Sequence, residues 1–122
     1  MAIVGIDHVQ LAAPPDCEEE ARRFFGDLLG LEELAKPDAL RRRGGVWFEC
    51  GTQQLHIGVE DGFRPAAKAH PAFRVADFEG VRARLTACGV EVRDDDAIPG
   101  VRRFYVDDPW GNRLELVDYA RG

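Results

Sequence analysis

The spacing of apolar positions changes along the chain from two to about three and a half and back, and it does so twice. Residues 3–11 alternate apolar and polar, as a half-buried strand does. Pro14 and Pro15 then break the chain, and Asp16 predicts a helix N-cap with Glu19 as its capping-box partner. Glu18, Glu19 and Glu20 suit the positive end of a helix dipole. Ala21, Phe24, Phe25, Leu28 and Leu29 make a helical stripe, and Gly30 stops it. A short strand at 32–34 follows, then a loop through Arg41-Arg42-Arg43. Strands at 46–50 and 54–59 meet at a Gly51-Thr52 hairpin turn.

The order then restarts. Residues 69–75 predict a strand, and Asp77 caps a helix whose stripe is Phe78, Val81, Leu85 and Cys88, ending at Gly89. Further strands are predicted at 90–93, 101–106 and 113–118, with Asp94-Asp95-Asp96 read as a solvated turn that lacks the spacing and glycine of a calcium loop. Leu55 aligns with Leu114 and Gly30 with Gly89, 59 residues apart in both cases, which points to an internal duplication. The expected fold is α+β: two tandem βαβββ modules, about 1–60 and 67–120 of one 1–122 domain, forming a curved mixed sheet around a cleft.

Composition narrows the function classes. A net charge of −6 opposes general nucleic-acid binding, which needs a basic face. No apolar run approaches the ~20 residues of a membrane span, and the first residues lack the basic leader of a signal peptide. Cys17, Cys50 and Cys88 are odd in number and widely spaced, which fits a reducing, cytoplasmic setting and not a disulfide framework. Cys17 stands at a predicted helix start, where a thiol pKa falls; a buried filler is the alternative. A chain this short buries only about two-thirds of its unfolded surface, so a homodimer is expected.

Parity along the strands concentrates the chemistry. Val9 and Leu11, Leu55 and Ile57, Phe73 and Val75, and Leu114 and Leu116 take the faces meant for the helices. The opposite faces carry His8, His56, His70 and Glu115. These are all three histidines of the chain and one carboxylate, on the first and last strands of both halves. Such N and O donors suit one divalent metal ion: Zn, Ni, Mn, Co or Fe(II). Trp47 and Glu49 share a face, and Trp47 reads as a pocket floor or as packing. Arg74, Arg103 and Arg113 read as anion grips or surface ion pairs, and the Arg41-Arg42-Arg43 run as an anion-binding lid or a solvated loop.

Four stretches carry a resemblance: Gly5-Ile6-Asp7-His8-Val9, Phe24-Phe25-Gly26-Asp27-Leu28-Leu29-Gly30-Leu31, His70-Pro71-Ala72-Phe73, and Asp108-Pro109-Trp110-Gly111-Asn112-Arg113-Leu114-Glu115-Leu116. On these, nearly the whole chain resembles the vicinal oxygen chelate superfamily of glyoxalases, fosfomycin-resistance enzymes, extradiol dioxygenases and bleomycin-binding proteins. The resemblance implies paired βαβββ modules and a dimer with shared sites. It puts His8, His70 and Glu115 on the metal-ligand positions, with Glu115 as a candidate base. His56 departs from the carboxylate usual in glyoxalase I and is either a fourth ligand or an acid–base group. Tyr105 falls where extradiol enzymes carry an active-site tyrosine. With Trp47 and Arg103 it completes the expected substrate-binding set.

The reading is therefore a metal-dependent, lyase- or isomerase-like enzyme for a small oxygen-bearing substrate. The alternatives are an Fe(II) dioxygenase, a fosfomycin-type transferase, and a non-catalytic protein that sequesters a drug.

Overall fold

An alternating segment becomes a strand only where a neighbouring strand takes up its backbone groups. The computed structural model describes residues 2–119. In it β1 spans His8–Ala13, starting later than the alternation does. It runs parallel to β4 (Gln53–Val59), with His8 opposite Gln54 and Ala13 opposite Val59. The Asp7 carbonyl takes the Gln54 N–H at 3.2 Å, and β4 itself begins at Gln53, just after the Gly51-Thr52 turn, so the pairing runs out within a residue of His8. Ile3 and Val4 accordingly stay 83% and 92% exposed.

Pro14 and Pro15 turn the chain, and Asp16 completes that turn in a left-handed conformation with φ at 65°. It is therefore not the expected N-cap; Cys17 takes that place and makes no side-chain cap bond. The helix starts as α1 (Glu18–Ala21) and widens at once into a π-helix (Arg22–Leu28), with the Leu29 N–H reaching back to Phe24. Phe24 and Phe25 are buried, and Phe25 packs on Phe48 of β3 (Val46–Cys50). β2 (Glu32–Leu34) borders β3, and the expected loop contains a one-turn helix, α2 (Asp38–Arg41), just ahead of Arg42 and Arg43. The first sheet has the order β1-β4-β3-β2.

The second sheet repeats that order as β5-β8-β7-β6, again with a parallel outer pair and two antiparallel ones. Its strands are β5 (Ala72–Val75), β6 (Arg93–Asp95), β7 (Arg103–Asp107) and β8 (Arg113–Asp118). Asp77 caps α3 (Phe78–Ala87) as expected, its carboxylate accepting the Gly80 N–H at 3.1 Å. Phe78, Val81 and Leu85 bury themselves with Phe104, Leu114 and Leu116. The fold is α+β with a βαβββ pattern used twice, and the chain divides into two compact units after Arg64. Among the described residues no helix is long and apolar enough to cross a membrane.

Two further expectations need correction. Asp94 and Asp95 belong to strand β6, not to a solvated turn: Asp94 pairs with Arg82, and Asp95 with Arg103 directly across the sheet. The Cys17 thiol is pushed up, not down, because burial and the adjacent Glu18 carboxylate both disfavour a thiolate.

The β7–β8 turn is built on Asp108, which is 5% exposed. Its carboxylate accepts the Trp110 N–H at 3.0 Å, the Asn112 N–H at 2.8 Å and the Asn112 amide at 2.8 Å. Burial pushes its pKa up, against the pull of those donors. Asp108→Ala is expected to cost about 2 kcal/mol in urea unfolding by stranding those donors, and Asp108→Asn clearly less. Equal losses would show that keeping one oxygen for the two backbone N–H groups preserves nothing measurable.

Candidate metal centre

Register decides which side chains share the open face of each sheet. In the first, both Gln10 and Trp47 lie opposite His56, and His8 precedes Gln10 by two residues on the same face. The three rings form a stack. Trp47 lies on His56 with centroids 4.0 Å apart and planes 4° apart; His8 covers the other side at 4.2 Å and 16°. His56 is buried between them. Burial first, and then the neighbouring His8, holds its pKa below the ordinary histidine value, so the neutral ring is favoured. A cavity of about 280 Å³ adjoins the stack, bordered by Gln10, Trp47, Gly58, Lys36 and Arg43.

The second sheet repeats the layout with other chemistry. Both Ala72 and Tyr105 lie opposite Glu115, and His70 precedes Ala72 by two residues. His70 comes from the segment just before β5, not from the strand itself. Its Nε2 stands 3.0 Å from Glu115 Oε1, and its ring meets that of Tyr105 edge to face with centroids 5.5 Å apart. Glu115 Oε2 accepts a hydrogen bond from Arg103 at 3.1 Å, and the other arm of that guanidinium binds Asp95 at 3.2 Å. His8 thus corresponds to His70, His56 to Glu115, and Trp47 to Tyr105.

The donor chemistry fits a divalent ion. Each imidazole gives one nitrogen to an oxygen acceptor: His8 Nδ1 to Asp7 at 2.9 Å, His56 Nε2 to Gln54 at 2.9 Å, and His70 Nδ1 to the Lys68 carbonyl at 2.8 Å. In a neutral ring the other nitrogen then carries the lone pair, the arrangement that metal-binding histidines use. For His70 that nitrogen faces a carboxylate oxygen. Two lone pairs at that distance repel unless a proton or a cation lies between them. Among the described residues, no three His, Cys, Asp or Glu side chains gather as one group; the donors stand as two pairs, one in each unit.

All seven expected site residues fall on these two open faces: His8, Trp47 and His56 on one, His70, Arg103, Tyr105 and Glu115 on the other. Four polar partners escaped sequence reading: Asp7, Gln54, Asp95 and the Lys68 carbonyl. Parity does put Gln54 on the face of His56, and it puts Asp95 on that of Arg103 once β6 is carried that far; nothing marks the Lys68 carbonyl.

The sequence model of the Glyoxalase/Bleomycin resistance protein/Dioxygenase superfamily matches residues 5–116. The chain belongs to that superfamily. Among solved structures it is similar to a glyoxalase family protein from Bacillus anthracis, at 55% identity and a TM-score of 0.93, with 97% of each chain covered. It shares its fold with lactoylglutathione lyase from Agrobacterium tumefaciens at 23% identity, a TM-score of 0.73, and 97% and 96% coverage. The same holds for the fosfomycin resistance protein FosX from Listeria monocytogenes at 20% identity, a TM-score of 0.77, and 95% and 93% coverage. A comparison with curated proteins found no match.

Proposed function

We propose that this superfamily member is a divalent-metal-dependent enzyme of the glyoxalase type, acting on a small oxygen-bearing substrate by lyase or isomerase chemistry. His8, His56, His70 and Glu115 form the donor set. The observation that carries this reading is the repeated pairing: in each unit a histidine with a committed tautomer stands beside a second donor on the last strand.

A bound ion supplies Lewis acidity, stabilising negative charge as it develops on a substrate oxygen. The chain's own groups do the rest. Glu115 takes up or returns a proton through Oε1, because Oε2 is held by Arg103. His56 keeps a lone pair at Nδ1, for the metal as a fourth ligand or for a proton as an acid–base group. Trp47 borders the cavity and offers an apolar wall for the substrate, while Tyr105 and the charge of Arg103 flank the Glu115 side. The reading includes a homodimer, supported by Ile3, Val4 and Ile6, which are apolar and exposed in the single chain.

The test is elemental analysis of protein purified without chelator, with thermal melts in Zn, Ni, Mn, Co and anaerobic Fe(II). Near-stoichiometric metal and a raised Tm are expected. Absence of both across all five ions would overturn the enzyme reading and leave the drug-sequestering one.

A further inference from the structure

We infer that Arg103 is a positioning residue for Glu115: anchored on Asp95, it grips Oε2 and so presents Oε1 alone toward His70. A glutamate has three rotatable bonds, and a free carboxylate exchanges its oxygens readily. Here both oxygens are assigned, Oε1 to His70 at 3.0 Å and Oε2 to Arg103 at 3.1 Å.

The grip is itself braced. Asp95 lies directly across the sheet from Arg103 and also accepts the Ala97 N–H at 2.9 Å. A continuous chain of contacts therefore runs from the Ala97 N–H through Asp95, Arg103, Glu115 and His70 to the Lys68 carbonyl, fixed to backbone at both ends. Arg103 and Glu115 are largely buried, with side chains 15% and 11% exposed. A planar guanidinium meets two carboxylates with two separate arms; a lysine offers a single point of attachment.

The arrangement is costly. Among the described residues the Arg103 Nε is buried without a hydrogen-bond partner. A buried charge network is weak evidence of stabilisation, since apolar replacements often fold as well. Orientation of Glu115 is the return that the geometry points to. The inference rests on the reading of Glu115 as the working carboxylate, so its test carries one readout that needs no metal.

Arg103→Met, Arg103→Lys and Asp95→Asn are compared with wild type. In chelator competition with Zn and Co, Arg103→Met is expected to lose at least about tenfold in affinity. Arg103→Lys loses less, and Asp95→Asn loses a few-fold. Unchanged or tighter binding in Arg103→Met would overturn the inference, because an arginine that merely repels the ion or braces the sheet gives that result. In metal-free protein, the ring-nitrogen chemical shifts of His70 report its contact with Glu115. They are expected to move in Arg103→Met toward those of Glu115→Gln. If they match wild type, positioning is wrong whether or not metal binds. If they move while wild type binds no metal, positioning stands and the ligand role of Glu115 fails. Should Arg103→Met not fold, Arg103→Lys carries both readouts.

Discussion

Glu115→Gln is expected to keep the fold and to remove at least about a hundredfold of divalent-metal affinity, more than the second-shell losses typical of metal sites. Glu115 carries the only negative charge in the proposed donor set of three imidazoles and one carboxylate. Glutamine fills the same volume and still offers an oxygen to Arg103, so the contact at 3.1 Å has a neutral replacement. What goes is the anion that pairs with a cation. At a metal concentration a hundred times Kd, the wild type gains about 2.7 kcal/mol of stability from binding; after a hundredfold loss, about 0.4 kcal/mol is left. For a domain of this size 1 kcal/mol is worth about 4 °C. A metal-induced rise in Tm of about 10 °C therefore shrinks to about 2 °C, while the far-ultraviolet circular dichroism of the metal-free protein is unchanged. An undiminished shift would remove Glu115 from the donor set. His8→Ala should act in the same direction with its fold intact, because His8 lies on an exposed stretch of β1.

Much of the candidate site was legible because a strand has a period of two. Once residues 54–59 and 113–118 are read as strands, the parity of Leu55 and Ile57, or of Leu114 and Leu116, dictates that His56 and Glu115 face the other way. Errors collect where structure depends on partners that parity does not see. β1 begins at His8, within a residue of where its partner β4 starts, and nothing in the alternation of residues 3–11 marks it. β6 is three charged residues with little intrinsic preference for a strand. It forms through tertiary ion pairs: Arg93 with Asp107, Arg82 with Asp94 and Arg103 with Asp95. Asp16 has the right side chain for a cap, but two preceding prolines oblige it to finish a turn instead. Arg103 was expected to meet substrate. Its geometry gives it two protein carboxylates first, a fact of register between β6, β7 and β8.

Gly45→Ala is the substitution with the largest expected cost in stability. Gly45 has φ of +88°, and a Cβ built there lies 2.1 Å from the carbonyl oxygen of Ile57. That oxygen is backbone of β4, the central strand between β1 and β3, so it cannot move without opening the pairing of Val46 with Ile57. The Gly45 N–H also donates to Glu18 at 2.7 Å, which ties the head of the helix to the start of β3 and holds the Glu18 carboxyl below its ordinary pKa. An alanine thus meets three obstacles together: a left-handed backbone, a clash with fixed backbone, and a displaced hydrogen bond. The first alone costs about 1–2 kcal/mol. Gly30→Ala isolates it, since Gly30 has φ of +78° and nothing within 4 Å of a built Cβ. Gly44→Ala is intermediate: φ is +73°, and the obstructing atoms, both 3.0 Å away, are side-chain atoms of Glu18 and Val59 that can give way. Urea unfolding is expected to rank the losses Gly30, Gly44, Gly45, the last above about 4 kcal/mol, in the range that single substitutions rarely reach. Against the usual margin of about 5–15 kcal/mol, such a loss removes between about a quarter and most of the stability. If Gly45→Ala melts within 1 kcal/mol of Gly30→Ala, the close approach of Gly45 to β4 does not exist in solution. The seating of the loop that carries Lys36 and Arg43 beside Trp47 would fall with it.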